Sequence, residues 1–186
     1  MKTSKALSFF LVMAAVFMLI ACDSGSGGGD DGDDGDDEGA EVVFLDQNLQ
    51  GEFNGKTYTF VSGYAEDSYF EAGSYDLELY NIEPEEGLDP WAPTAYPFDG
   101  YLQVMATVPA EIGRTDLFID LTAGESKTVT LFDPDDNSLN IIAHIGAVEI
   151  TEIDTAAGTL SGRIAASNGD GDEVNGNFTV PIAPAD

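Results

Sequence analysis

The chain has 186 residues, with 35 acidic side chains against six basic ones, a single histidine and a single cysteine, and a formal net charge of −29. Phosphate backbones are held mainly by cationic neutralisation, so this balance argues against nucleic acid as a partner. One cysteine permits no internal disulfide, and one histidine with that cysteine cannot furnish a His/Cys zinc site.

The chain opens with Lys2 and Lys5, followed by an apolar run that ends at Ala21. The run is about 15 residues long, short of the roughly 20 that a permanent helical span needs, and so reads as a secretory signal. It closes on Leu19-Ile20-Ala21-Cys22, which resembles the lipobox of bacterial lipoproteins. The resemblance implies that residues 1–21 are removed, that the Cys22 thiol receives a diacylglycerol, and that the new amino terminus is acylated. One acyl chain anchors only marginally, at about 0.8 kcal/mol per buried CH₂. Two or three chains on Cys22 would hold the protein to a membrane without a span.

Residues 22–41 follow as a tether. Asp23 to Glu41 carries nine acidic residues, no basic ones and nothing apolar larger than Ala40. Such a segment cannot bury enough surface to offset its chain entropy and is expected to be disordered. Fully extended it reaches at most about 70 Å; as a relaxed Gly-rich coil it averages about 25 Å. Its charge repels anionic headgroups. Acidic residues behind the lipid-bearing cysteine resemble the surface-export signals of lipoproteins in some Gram-negative groups, although the dense run starts only at Asp30. Asp23 also resembles the signal that retains lipoproteins in the inner membrane of enteric bacteria. The expectation is a lipid-anchored envelope protein, at the outer membrane or cell surface in preference to the inner membrane. The Asp-Asp-Gly repeat lacks the alternating ligands and closing glutamate of an EF-hand loop, so no specific calcium site is expected in the tether.

The body, 42–186, retains 26 acids against Lys56, Arg114, Lys127 and Arg163, and its length suits one domain with a sizeable core. Its periodicity is that of strands. Lys56 to Ser62 alternates Tyr58 and Phe60 with threonines. In the segment from Ser74 to Ile82, Tyr75, Leu77 and Leu79 fall on one face and Asp76 and Glu78 on the other. That alternation marks a sheet with one buried and one wet face. Strands are also expected over Tyr101–Val108, Asp116–Leu121, Lys127–Phe132, Leu160–Ala165 and Val174–Ile182. Ile141–Ile153 reads as two strands or one bent strand, with Gly146 at the break. Asn54-Gly55 is a two-residue hairpin signal. Turns are expected at Asp133–Asn137 and Ser167–Asp172. No amphipathic helix is evident. Eight to ten short strands without crossover helices predict an all-β fold, one antiparallel β-sandwich or barrel-like domain behind the acidic tether. The start NGKTYTF and the finish VNGNFTV are loosely similar to small β-rich lipoproteins of Gram-negative bacteria, a resemblance that implies no activity.

Candidate chemistry is sparse. His144 lies among apolar residues at strand spacing, without the nucleophile and orienting group of a triad, and reads as a strand residue with a local hydrogen bond. Gly124–Thr128 lacks the glycines of a phosphate loop and precedes a strand, which makes it a hairpin turn. Asp133, Asp135, Asp136 and Asn137 in one turn, and Asn168, Asp170, Asp172 and Glu173 in another, offer oxygen ligands for calcium, but Asp and Asn are also ordinary turn residues. The loop from Glu83 to Gly100 places Trp91, Tyr96 and Phe98 among prolines. Exposed aromatics of this kind anchor a glycan or protein partner, and buried ones cover an open end of the domain. These features describe a lipid-anchored envelope binding or structural module without catalysis, needing no cofactor, its ligand unnamed. The alternative is a small envelope hydrolase acting on glycans through a carboxylate pair.

Overall fold

A computed structural model describes residues 41–96, 100–135 and 140–184. Cys22, the signal and the tether as far as Ala40 lie outside the described residues, as do Phe98, Asp136 and Asn137. The body is all-β, as its alternating pattern predicts. Its strands are β1 (Gln50–Phe53), β2 (Lys56–Thr59), β3 (Ser62–Asp67), β4 (Ser74–Tyr80), β5 (Gln103–Pro109), β6 (Gly113–Asp116), β7 (Phe118–Asp120), β8 (Glu125–Lys127), β9 (Val129–Phe132), β10 (Ile141–Ala143), β11 (Ile145–Asp154), β12 (Thr159–Ser167) and β13 (Glu173–Pro181). A 3-10 turn over Pro93–Ala95 is the one helical element among the described residues.

One sheet runs β2-β1-β13-β12-β11-β6, the other β10-β9-β5-β4-β3, and β7–β8 form a separate hairpin. All ladders between these strands are antiparallel. The chain switches sheets at two corners. Phe60 N still donates to Leu49 O in the first sheet (2.8 Å), while Val61 N already donates to Tyr80 O in the second (2.9 Å). His144, between β10 and β11, donates its backbone N–H to Ser167 O at 3.1 Å. Taken through these corners, β2–β3 and β10–β11 are each one bent strand. Neighbours then follow chain order round an eight-stranded ring, and β13 closes it against β1. The β6–β8 segment is an insertion between β5 and β9. Strands that bend from sheet to sheet are how facing sheets make corners, and closure leaves few exposed edges.

An eight-stranded ring is narrow enough for side chains to fill it. Phe53, Tyr58, Leu77, Leu79, Val104, Leu131, Leu160 and Ile164, drawn from both sheets, are buried in one cluster. Asn54 and Gly55 both adopt positive φ, 53° and 68°, the conformation of a type I′ turn that matches strand twist. The break in the Ile141–Asp154 segment falls at His144 rather than at Gly146. Gly146 lies inside β11 for a different reason: its φ is +120°, and a Cβ there would sit 1.9 Å from Ala165 O. The ladder passes too close for any side chain.

Ahead of β1 the chain is strapped to β13. Asn175 Nδ2 donates to Val43 O (2.9 Å) and Leu45 N donates to Asn175 Oδ1 (2.9 Å). Asn177 Nδ2 reaches Asp46 Oδ1 at 3.0 Å. The Phe44 ring lies beneath the Arg163 guanidinium, 4.4 Å from its centroid, with Arg114 6.0 Å away.

Candidate functional site

Strand pleating points alternate residues of β4 in opposite directions. Leu77 and Leu79 enter the core, and Asp76, Glu78 and Tyr80 face outward. Ladder register sets Glu66 of β3 opposite Asp76, and Tyr64 opposite Glu78. On the other side, Thr107 and Met105 of β5 stand opposite Asp76 and Glu78. The outer face of this sheet forms the floor of a groove of about 360 Å³. Its walls are the β3–β4 turn and the β8 region, which are clamped together: Lys127 Nζ donates to Glu71 Oε1 at 2.7 Å and to Oε2 at 2.9 Å. The Lys127 ammonium holds the Glu71 carboxyl below its ordinary range.

Thr107 Oγ1 donates to Asp76 Oδ1 at 2.7 Å. Glu78 lies deeper. Its Oε2 accepts from Gln103 Nε2 and lies 3.4 Å from Tyr80 Oη, and Gln103 Nε2 is 3.0 Å from that same hydroxyl. Burial, then the charge of Glu66, pushes the Glu78 carboxyl up to about 7; Asp76 adds to this, and the bonds from Tyr80 and Gln103 oppose it. A titratable group perturbed in this way within a cleft marks a candidate site. At the rim, Phe70 is 92% exposed, and its chain neighbour Tyr69, 90% exposed, stands edge-on to it at 5.1 Å.

The proline-rich loop packs on the same sheet face, at the end of β4. Tyr96 is buried, its ring stacked on Tyr80 at 3.5 Å and 10°. Trp91 is half-buried, edge-on to Tyr64 at 5.9 Å. Both join a small outer cluster with Tyr64, Ala95 and Tyr101. The loop therefore covers a patch of sheet face, with Trp91 bordering a hollow of about 300 Å³.

The two acidic turns and the Asn54-Gly55 turn are linked at another part of the surface. Asp133 is buried and receives Lys56 Nζ at 2.8 Å, Asn54 Nδ2 at 2.7 Å and Asp135 N at 3.1 Å. Burial alone would push its carboxyl up, but the Lys56 and Asn54 bonds outweigh it and the carboxyl lies below its ordinary range. Asp135 also pairs with Lys56, at 3.1 Å. Asp172 accepts from Asn54 N (2.8 Å) and from Asn168 Nδ2 (2.6 Å), and Asp170 N donates to Asn168 Oδ1 at 2.8 Å. The Lys56 ammonium lies against the carboxylates of the first turn, and among the described residues no group of three His, Cys, Asp or Glu side chains is arranged to hold a metal ion.

His144 Nδ1 lies 3.5 Å from Ile142 O, a local contact at the corner. The other two basic residues of the body are paired as well, Arg114 with Asp116 and Arg163 with Glu149. Neither Glu78 nor the Tyr69-Phe70 pair stands out in the sequence as a candidate site residue. The signal for the pair was two adjacent aromatics in a turn between strands; for Glu78 there was none beyond its place on the wet face of β4. No family model matches this chain, and no curated protein or solved structure matches it either.

Proposed function

We propose that this chain is a lipid-anchored binding module of a bacterial cell envelope, held at the outer membrane or cell surface and without catalytic activity of its own. The observation that carries the reading is the run Leu19-Ile20-Ala21-Cys22 behind a short basic and apolar leader, followed by an acidic Gly-rich tether and then one folded body. Acyl chains on Cys22 would supply the membrane affinity. The filled ring supplies a rigid support whose recognition features lie on its outer face. Mass spectrometry of the mature amino terminus tests it: a diacylglyceryl Cys22 is expected, and Cys22→Ser should move the protein out of the membrane fraction. An unmodified terminus elsewhere, or an equally membrane-bound serine variant, ends the proposal.

One observation favours a second reading, the glycan hydrolase. Asp76 and Glu78 share a groove, and Glu78 keeps its proton toward neutrality, as a general acid requires. Turnover of a neutral oligosaccharide that disappears in Glu78→Gln would establish it; the binding-module reading expects no turnover.

A further inference from the structure

We infer that the groove floored by Asp76, Thr107 and Thr130 and rimmed by Phe70 is a binding site for a neutral glycan. This deepens the binding-module reading and rests on it. The groove's volume of about 360 Å³ falls in the ~300–1,000 Å³ range of small-molecule sites.

The rim supplies the first argument. Phe70 borders the groove; it and the adjacent Tyr69 are large and almost fully exposed. They lie outside both buried clusters, so they do nothing for the core. Exposed aromatic area is apolar surface left in water, and it marks contact sites. The apolar CH face of a sugar ring is flat and suits such a platform.

The polar lining supplies the second. Threonine and serine hydroxyls (Thr107, Thr130, Ser126), three carboxyl groups (Glu71, Asp76, Glu78) and the Lys127 ammonium all border the groove. Donors and acceptors are interspersed, at the ~5 Å spacing of cross-strand neighbours. A ligand with hydroxyls around a ring meets both kinds of group, since each hydroxyl donates and accepts.

Charge decides among ligands. The Lys127 charge is matched by Glu71, and no other basic residue borders the groove, so a sulfated or uronate-rich sugar finds no cation waiting. Glu78 holds its proton toward neutrality because of its burial and the neighbouring Glu66 and Asp76, so the floor is not a full set of ionised carboxylates for a polyamine or lysine-rich peptide. An uncharged, hydroxyl-rich ligand with one flat apolar face remains.

Affinity electrophoresis of the mature, lipidated protein in detergent tests this, with hydroxyethylcellulose, xyloglucan or glycogen in the gel and poly-lysine and dextran sulfate as charged controls. Retardation by at least one neutral polysaccharide is expected. Phe70→Ala and Asp76→Asn should each weaken it by at least about tenfold, while Val43→Ala, at an exposed apolar residue that does not border the groove, leaves it unchanged. Because Phe70 is 92% exposed, Phe70→Ala should melt like the parent, which separates lost contact from lost fold. Failure of all three neutral polysaccharides, retention confined to poly-lysine, or a Phe70→Ala variant that binds like the parent overturns the assignment. Lipidation of Cys22 is read separately. A lipidated protein that binds no glycan sinks the groove alone, and a glycan-binding protein without lipid sinks the anchored reading alone.

Discussion

Two acidic neighbourhoods on this molecule are made of the same residue types and behave in opposite ways. Around Asp133, carboxylates meet Lys56 and the amide of Asn54, and the ionised form is favoured. Around Glu78, carboxyl groups of β3 and β4 lie near one another, Gln103 and Tyr80 donate to Glu78 itself, and its ionised form is disfavoured. The difference is an ammonium and an amide at Asp133 against burial beside like charges at Glu78. A carboxylate with a cation and hydrogen bonds contributes to stability; one held near other carboxylates in a partly dry setting opposes it.

Replacing Asp133 should have the largest effect. Asp133→Ala removes the acceptor for Lys56, for Asn54 and for the backbone of Asp135. Hydrogen bonds to charged groups contribute about 1.5–3 kcal/mol each in favourable settings. Urea unfolding should therefore show a loss of about 2–3 kcal/mol; a loss under about 0.5 kcal/mol would mean that the Lys56 pairing is only a surface contact.

Glu78→Gln should have the opposite sign. The folded carboxyl titrates at about 7 against an ordinary 4.5. Between those values the folded state keeps a proton that the unfolded state has lost, so stability falls as pH rises through that window and levels off above it. The expected decline from Glu78 is up to about 2 kcal/mol after allowance for its partial exposure. Glu78→Gln should be the more stable protein at pH 8, by about 1 kcal/mol, and indistinguishable from the parent near pH 5. Denaturation curves at the two pH values decide it, and parallel curves would remove the comparison's premise. Asp133 acts the other way: its contribution is present at neutral pH and lost only as pH falls below its ordinary range near 3.8.

Calcium sharpens the contrast at the first neighbourhood. With Lys56 in place, about 1 mM calcium should leave the melting temperature unchanged. In Lys56→Ala, Asp133 and Asp135 lose their counter-charge, and calcium should then raise it. A rise in the parent protein would mean that the ion displaces Lys56. The smallest effect belongs to Lys127→Ala, which opens the groove's clamp. Both partners are partly in water, and the change should stay within about 1 kcal/mol.

Much of the fold is legible in local pattern. Leu77 and Leu79 against Asp76 and Glu78 reveal β4 and its buried face. Asn54-Gly55 reveals the first hairpin, because few sequences tolerate two successive positive φ values. Features set by distant partners are not legible. Asp116–Leu121 reads as one strand, yet the chain divides there: β6 pairs with β11, and β7 turns away to pair with β8. Gly146 looks like a break because glycine often is one, and the close approach of Ala165 is not written nearby in the sequence. Tyr80 belongs by periodicity to the wet face, and only the folded loop that carries Tyr96 buries it. The groove shares that character. Its floor comes from β4, β5 and β9, and its clamp joins residues 71 and 127. The proton on Glu78 depends first on burial and then on Glu66, which ladder register brings near.

The strap between Val43 and Asp46 has a mechanical consequence. A pull arriving from the amino-terminal side meets the side-chain amides of Asn175 and Asn177 and the ring of Phe44 under Arg163 before it reaches β1. The load passes first to β12 and β13, in the interior of a sheet, and the closing seam between β1 and β13 is spared until those fastenings slip.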